Sequence, residues 1–164
     1  MTPFIPASAP DFLALSYRPD LHLLVSRWRR PVSDAELRAG YRATLALAQA
    51  VGCPYWQLDL RGRNAAEPDA QQWFTETFLP SLTTQLATPP CLGYLLSPQL
   101  LRQLAPAVLA PGLAPASHGH TTLRVAFFAE EGPLTAWLAQ CQQRGGAERA
   151  RVGLVPPATP PLAA

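Results

Sequence analysis

Proline lacks a backbone donor and fixes φ, so it is excluded from helix interiors and central strands. This chain of 164 residues carries 19 prolines, and they are bunched. They crowd residues 1–10, Thr88–Pro90, Pro98–Pro115 and Pro156–Pro161, and regular structure has to fit between them. The run VPPATPPLAA can form neither helix nor central strand, and with RGGAERAR before it the end of the chain reads as a tail. Three parts follow: a proline-rich N-terminal segment (1–10), one α/β domain (11–143) and a Pro/Gly-rich C-terminal tail (144–164).

Within 11–143 the hydrophobic periodicities define the elements. FLALSYRPDLHLLVSRW alternates as two strands, with Leu13, Leu15 and Tyr17 on one face and Pro19-Asp20 suited to a turn between them. Ser33 and Glu36 match the S-x-x-E capping box. Leu37, Tyr41, Leu45, Ala48 and Val51 then recur at helical spacing until Gly52 supplies a left-handed stop. YWQLDL is the next strand. A second helix opens at Glu67-Pro68-Asp69 and carries Trp73, Phe74, Phe78, Leu82 and Leu86, with Pro80 expected to kink or end it. CLGYLL is a short apolar strand. Ser97-Pro98 caps a third helix through Leu100, Leu101 and Leu104, and a strand from Thr122 follows. A last helix, Pro133 to Gln143, has Leu134, Trp137, Leu138 and Cys141 on one side. The order ββαβαβαβα predicts a mixed, mostly parallel sheet with an antiparallel hairpin at its start.

Composition narrows the function classes. A 48% hydrophobic content suits a packed core, and a formal charge of +2 is too small to imply nucleic acid. All 13 basic residues are arginine, so Schiff-base lysine chemistry and a Walker-type phosphate lysine are excluded. There is no GxGxxG, and no cofactor is expected. Cys53, Cys91 and Cys141 form no CxxC pair and read as reduced, buried thiols, which favours a cytoplasmic setting. The first residues lack the pattern of a signal peptide, and no apolar run is long enough to span a bilayer.

The opening hairpin, the capped helix SDAELRAGYRATLALAQAVG, the strand YWQLDLRGRN, the segment QQWFTETFLPSLTT and the closing pair LRVAFFAEEGPLTAWLA carry a resemblance. Over about 120 residues the chain resembles the small STAS-like proteins of bacteria (SpoIIAA-like, STAS/SEC14-type), mostly of unassigned function. The resemblance implies a STAS fold and a regulatory or binding role. The best-known STAS domains, anti-sigma factor antagonists, are phosphorylated on a serine or threonine at the start of the helix after the strand corresponding to YWQLDL. Here that connection reads RGRNAAEPDA, without either residue. Thr75 and Thr77 are the nearest hydroxyls downstream, so the phospho-regulated reading lacks its acceptor.

Asp59, Arg61, Arg63 and Asn64 stand at a strand end, where open α/β sheets bind ligands near a switch in strand order, and just before a helix N-terminus. The arginines suit a phosphate or carboxylate. The alternative is a solvated strand end in which Asp59 accepts from loop amides and pairs with an arginine; beside arginines it is a poor base. Trp73 and Phe78 either belong to the core or border a groove for an apolar ligand or partner. His118 and His120 have an H-x-H spacing but no nearby third ligand, and a surface loop accounts for them. His22, on a hairpin strand, is expected to face solvent. In Arg27-Trp28-Arg29-Arg30, Trp28 should point inward while the arginines splay outward. The expected function is a non-enzymatic module for a protein partner or a small apolar or anionic ligand, homodimerisation included. The opposing class is an enzyme using Asp59 and Arg61.

Overall fold

The computed structural model describes residues 6, 9–108 and 123–153. His118 and His120, most of the N-terminal segment and residues 154–164 of the expected tail lie outside them. The elements are β1 (Leu13–Arg18), β2 (Leu23–Trp28), α1 (Asp34–Val51), β3 (Tyr55–Asp59), α2 (Pro68–Trp73), a π-helical turn (Phe74–Phe78), α3 (Leu79–Gln85), β4 (Cys91–Leu95), α4 (Pro98–Val108), β5 (Arg124–Phe128) and α5 (Glu131–Gly153). The sheet is a five-stranded α/β sheet in the order β1-β2-β3-β4-β5, antiparallel between β1 and β2 and parallel thereafter. The expected mixed sheet with its leading hairpin is present. Among the described residues the sheet has no switch in strand order, because each crossover steps one place in the same direction.

Local chemistry accounts for the boundaries. Ser33 and Glu36 form the complete capping box of α1, and Gly52 ends that helix at φ 63°. Ser97 Oγ accepts from the Leu100 amide at the start of α4. Pro80 neither ends nor breaks its helix. The chain widens by one residue ahead of it, and the Leu79 amide reaches back to the Phe74 carbonyl. A π turn of this kind gives the proline ring room where an α-helical carbonyl would clash. At the other end of the chain, α5 does not stop at Gln143 but runs on to Gly153, so the beginning of the expected tail is helical.

Strand alternation sorts the side chains onto two faces. One face carries Trp28, Leu24, Ser26, Trp56, Leu58, Leu92, Tyr94, Val125 and Phe127, as the strand registers require. Helix α1 lies here: Ser26 and Thr44 pair their hydroxyls at 3.3 Å in the core, and Tyr41 reaches Tyr94. The other face carries Arg27, Gln57, Asp59, Gly93 and Phe128, and α5 packs on it. Leu134 and Leu138 of that helix sit over Gly93, where an added Cβ would meet them at 3.4–3.5 Å, an ordinary packing distance. Leu134, Leu138 and Cys141 are buried beneath α5, and all three cysteines are buried thiols outside any disulfide. Among the described residues no helix is long and apolar enough to cross a membrane.

Two side chains of the hairpin illustrate how far alternation alone carries. Trp28 points inward as expected, stacked on Phe12 and set against Gly40, while Arg27 emerges on the opposite face. His22, expected to face solvent, instead sits in the hairpin turn at φ 44°, hydrogen-bonded to the Tyr17 hydroxyl at 2.9 Å and edge-on to Tyr55. The turn takes it off the strand, so strand alternation does not apply to it.

Gly40 is where α1 meets the sheet most tightly. A Cβ at this position would run into the Trp28 ring, which is itself buried. Alanine in a helix interior normally gains about 1 kcal/mol over glycine. Overpacking against a ring with nowhere to go costs about 1–3 kcal/mol and should win. Gly40→Ala is therefore expected to lower the stability measured by urea denaturation, with a change in midpoint and none in slope. A gain in stability would mean that the Trp28 contact is loose.

Candidate functional site

The turn after β3 decides where each candidate side chain goes. The ladder continues one step past the strand, with the Leu60 amide donating to Leu95 O at 2.9 Å, and then closes as Arg63 N donates to Leu60 O at 3.0 Å. Gly62 passes directly against the end of β2: a Cβ there would lie 2.5 Å from the Trp28 carbonyl oxygen, so no other residue fits without moving backbone. Asn64 fastens the turn to the β2–α1 connection, accepting from Val32 N at 2.9 Å and donating to Val32 O at 3.3 Å. The consequence is a separation. Arg61 goes to the α5 face and Arg63 to the α1 face.

On the α5 face, Asp59 is 2% exposed yet fully engaged. Arg61 holds it in a fork, Nε to Oδ1 at 3.0 Å and Nη2 to Oδ2 at 2.8 Å, and the Arg61 amide adds a third bond at 3.1 Å. Arg27 Nε supplies a fourth at 3.0 Å. Glu131, in the first turn of α5, accepts from Arg61 Nη2 at 3.0 Å and lies 4.0 Å from Arg27. Two acids and two arginines thus neutralise one another and tie β2, β3 and α5 together. Burial by itself would raise the Asp59 pKa, but the hydrogen bonds from Arg61 and the charges of Arg61 and Arg27 outweigh it and hold the carboxyl below its ordinary range. The same ion pairing raises Arg61, through its hydrogen bond to Asp59 first.

On the α1 face lies a cavity of about 40 Å³, partly open to solvent among the described residues. It sits at the carboxyl end of the parallel strands and is bordered by Tyr41, Arg63, Phe74, Tyr94, Val125 and Phe127. The Arg63 guanidinium lies 5.0 Å from the Trp28 ring and 5.8 Å from the Tyr41 ring, and its Nη1 donates loosely to Tyr41 Oη at 3.5 Å. The Tyr41 and Tyr94 hydroxyls are 3.4 Å apart. Tyr94 is raised well above the usual phenol range, by burial first and then by Tyr41, and stays protonated. Phe78 is buried behind this wall, packed on Tyr41 and Phe74. Trp73 is half-buried beside Phe78, with Arg38 and Arg42 stacked over it at 5.3 and 5.6 Å.

The six candidate residues therefore do not form one site. Asp59 and Arg61 belong to an ion-pair network, Asn64 to a loop clamp, Arg63 to the cavity, and Trp73 and Phe78 to the aromatic cluster behind it. The expected anion site at the start of α2 is occupied in charge by Glu67 at the cap and Asp69 in the first turn. Tyr41, Tyr94, Val125 and Phe127 carry no functional signal in the sequence because each reads as core by periodicity. Glu131 carries none either, since its partner Arg61 is 70 residues away. Among the described residues no three His, Cys, Asp or Glu side chains cluster to hold a metal. Comparison with protein-family profiles, with curated proteins and with solved structures returned no match to this chain.

Because the folded pKa of Asp59 is depressed, its contribution to stability is fully present above its unfolded value, about pH 4, and is lost as pH falls through the lower folded value. Asp59→Asn should cost about 2 kcal/mol at neutral pH, less than the ~3–5 of a fully buried pair, because both arginines are about half-exposed and screened. The wild-type and variant stability curves, followed by thermal melts from pH 7 to pH 2, are expected to converge at the acidic end. Parallel curves throughout would show that Asp59 is not held ionised by these arginines.

Proposed function

We propose that this chain is a non-enzymatic binding module of the STAS-like type, working in the cytoplasm, and that its ligand site is the cavity on the α1 face. The observation that carries the reading is the convergence of Arg63, Tyr41 and Tyr94 on one partly open apolar cavity at the carboxyl end of the parallel strands. Such a setting, mostly apolar with a few converging polar groups, is typical of small-ligand sites. The hairpin followed by parallel βα steps supports the STAS-like assignment, although fold alone does not specify a ligand.

The opposing enzyme reading asks Asp59 to move a proton. Four N–H donors occupy that carboxylate and lower its basicity, which disfavours it as a general base. The phospho-regulated reading asks for a free hydroxyl near the start of α2. Thr75 lies within the π turn and donates its hydroxyl to the Gln71 carbonyl.

Native mass spectrometry of the protein purified gently from its own host is expected to show a non-covalent added mass that disappears on denaturation. Ala66→Leu, which puts bulk into the cavity wall, should lose that mass while melting at nearly the same temperature. Retention of the ligand by Ala66→Leu would place the site elsewhere. A covalent gain of one phosphate would favour the phospho-regulated alternative instead.

A further inference from the structure

Hydrogen-bond supply in the cavity is unbalanced, and the imbalance identifies a ligand chemistry. Arg63 Nε–H is buried and meets no acceptor among the described residues. The Tyr41 and Tyr94 hydroxyls share one contact, which uses one of their two protons, while Tyr41 Oη also accepts from Arg63 Nη1. The second phenolic proton has no acceptor among the described residues either. Two donors are therefore left over where burial makes an unmade hydrogen bond costly. Charge is unbalanced in the same direction. Arg27 and Arg61 are paired with carboxylates, whereas Arg63 has none within ion-pair distance among the described residues.

A surplus of donors around one uncompensated cation calls for an acceptor-only anion. Size and charge narrow it further. By the measure in which one buried water needs roughly 10–15 Å³, the cavity of about 40 Å³ takes three or four heavy atoms, so a ligand of about five fills it and reaches its mouth. A single guanidinium balances a monoanion, whereas a phosphate dianion would enter this apolar setting with a charge left unpaired. Beside Tyr94 on the same sheet face, Val125 and Phe127 of β5 add only hydrocarbon to the lining, Phe127 being stacked on the Tyr94 ring at 5.2 Å.

We propose that the cavity is a receptor for a short apolar monocarboxylate, whose oxygens accept from Arg63 Nε and from one tyrosine hydroxyl while its alkyl end lies against Val125 and Phe127. The proposal rests on the binding-module reading and gives it a ligand class. The carboxylate completes both missing hydrogen bonds, and charge-assisted bonds of this kind are the stronger ones. Arg63 Nε is closed off from solvent in the unliganded chain, so the guanidinium has to turn on the Trp28 ring to present that N–H to the carboxylate.

The test uses propionate against propionamide, which has nearly the same shape but is neutral. Binding to the full chain is followed by calorimetry and by the Arg63 Nε–H resonance in a nitrogen-15 spectrum. Propionate is expected to bind at least ~10-fold more tightly than propionamide and to shift that resonance, because the amide replaces a charge-assisted bond with a neutral one. Arg63→Met, which keeps the stacked stem, should lose that preference, and the double variant Tyr41→Phe/Tyr94→Phe, which removes both phenolic protons, should weaken propionate several-fold. If Arg63→Met fails to fold, the double tyrosine variant and the wild-type resonance decide. Equal affinity for the amide, tighter binding of inorganic phosphate, or no shift at Arg63 would overturn the monocarboxylate assignment while leaving the cavity as a site for another ligand. No binding of either probe to wild type would also overturn it. If the host-purified protein then carries no added mass, the binding-module reading falls as well.

Discussion

A carboxylate taken out of water must be repaid in hydrogen bonds, and Asp59, at the end of the central strand, sets the terms for everything around it. Its four donors come from β2, from its own strand's turn and from that turn's backbone, and Glu131 extends the network to the first turn of α5. Those bonds hold the strand ends in register and anchor the helix that covers one face of the sheet. The network consumes two arginines in doing so. The third arginine near this strand end, Arg63, is left to the opposite face.

The partition of Arg61 from Arg63 follows from the turn and not from their spacing. On a continuing strand, the two would point the same way. The strand stops at Asp59, and Gly62 lets the chain press against the Trp28 carbonyl and reverse. Arg61 is left beside Asp59, and Arg63 swings over the Trp28 ring. One glycine thus separates an ion-paired arginine from one that has no carboxylate partner among the described residues. The tight seating of Trp28 on Gly40 then fixes the ring on which Arg63 rests, so helix packing and the polarity of the cavity are coupled.

The sheet order contributes in a second way. Because each crossover advances one strand in the same direction, crossovers of one hand collect their helices on one face. The opposite face would stay bare without α5, which returns over β3, β4 and β5 after the last strand. This explains why the apolar pattern of α5 is clear through Cys141 but its end is not: the glycines at 145 and 146 look like a stop, yet the helix persists there, with Gly145 set against the Tyr55 hydroxyl.

Whatever depends on neighbours along the chain is already readable in the residues. The hairpin, the Ser33–Glu36 cap, the Gly52 stop, the Ser97 cap and the inward face of Trp28 all rest on interactions within a few residues, and local chemistry writes these directly into the chain. Pro80 is legible as a disturbance but not as a π turn, because its remedy depends on how the flanking segments pack. The strand order, the meeting of Tyr41 with Tyr94 across 53 residues, and the choice of which arginine at the strand end meets no carboxylate among the described residues arise only when the elements pack together. Those outcomes depend on distances between segments remote in sequence, and periodicity reports only which side of an element is apolar, never what that side will face.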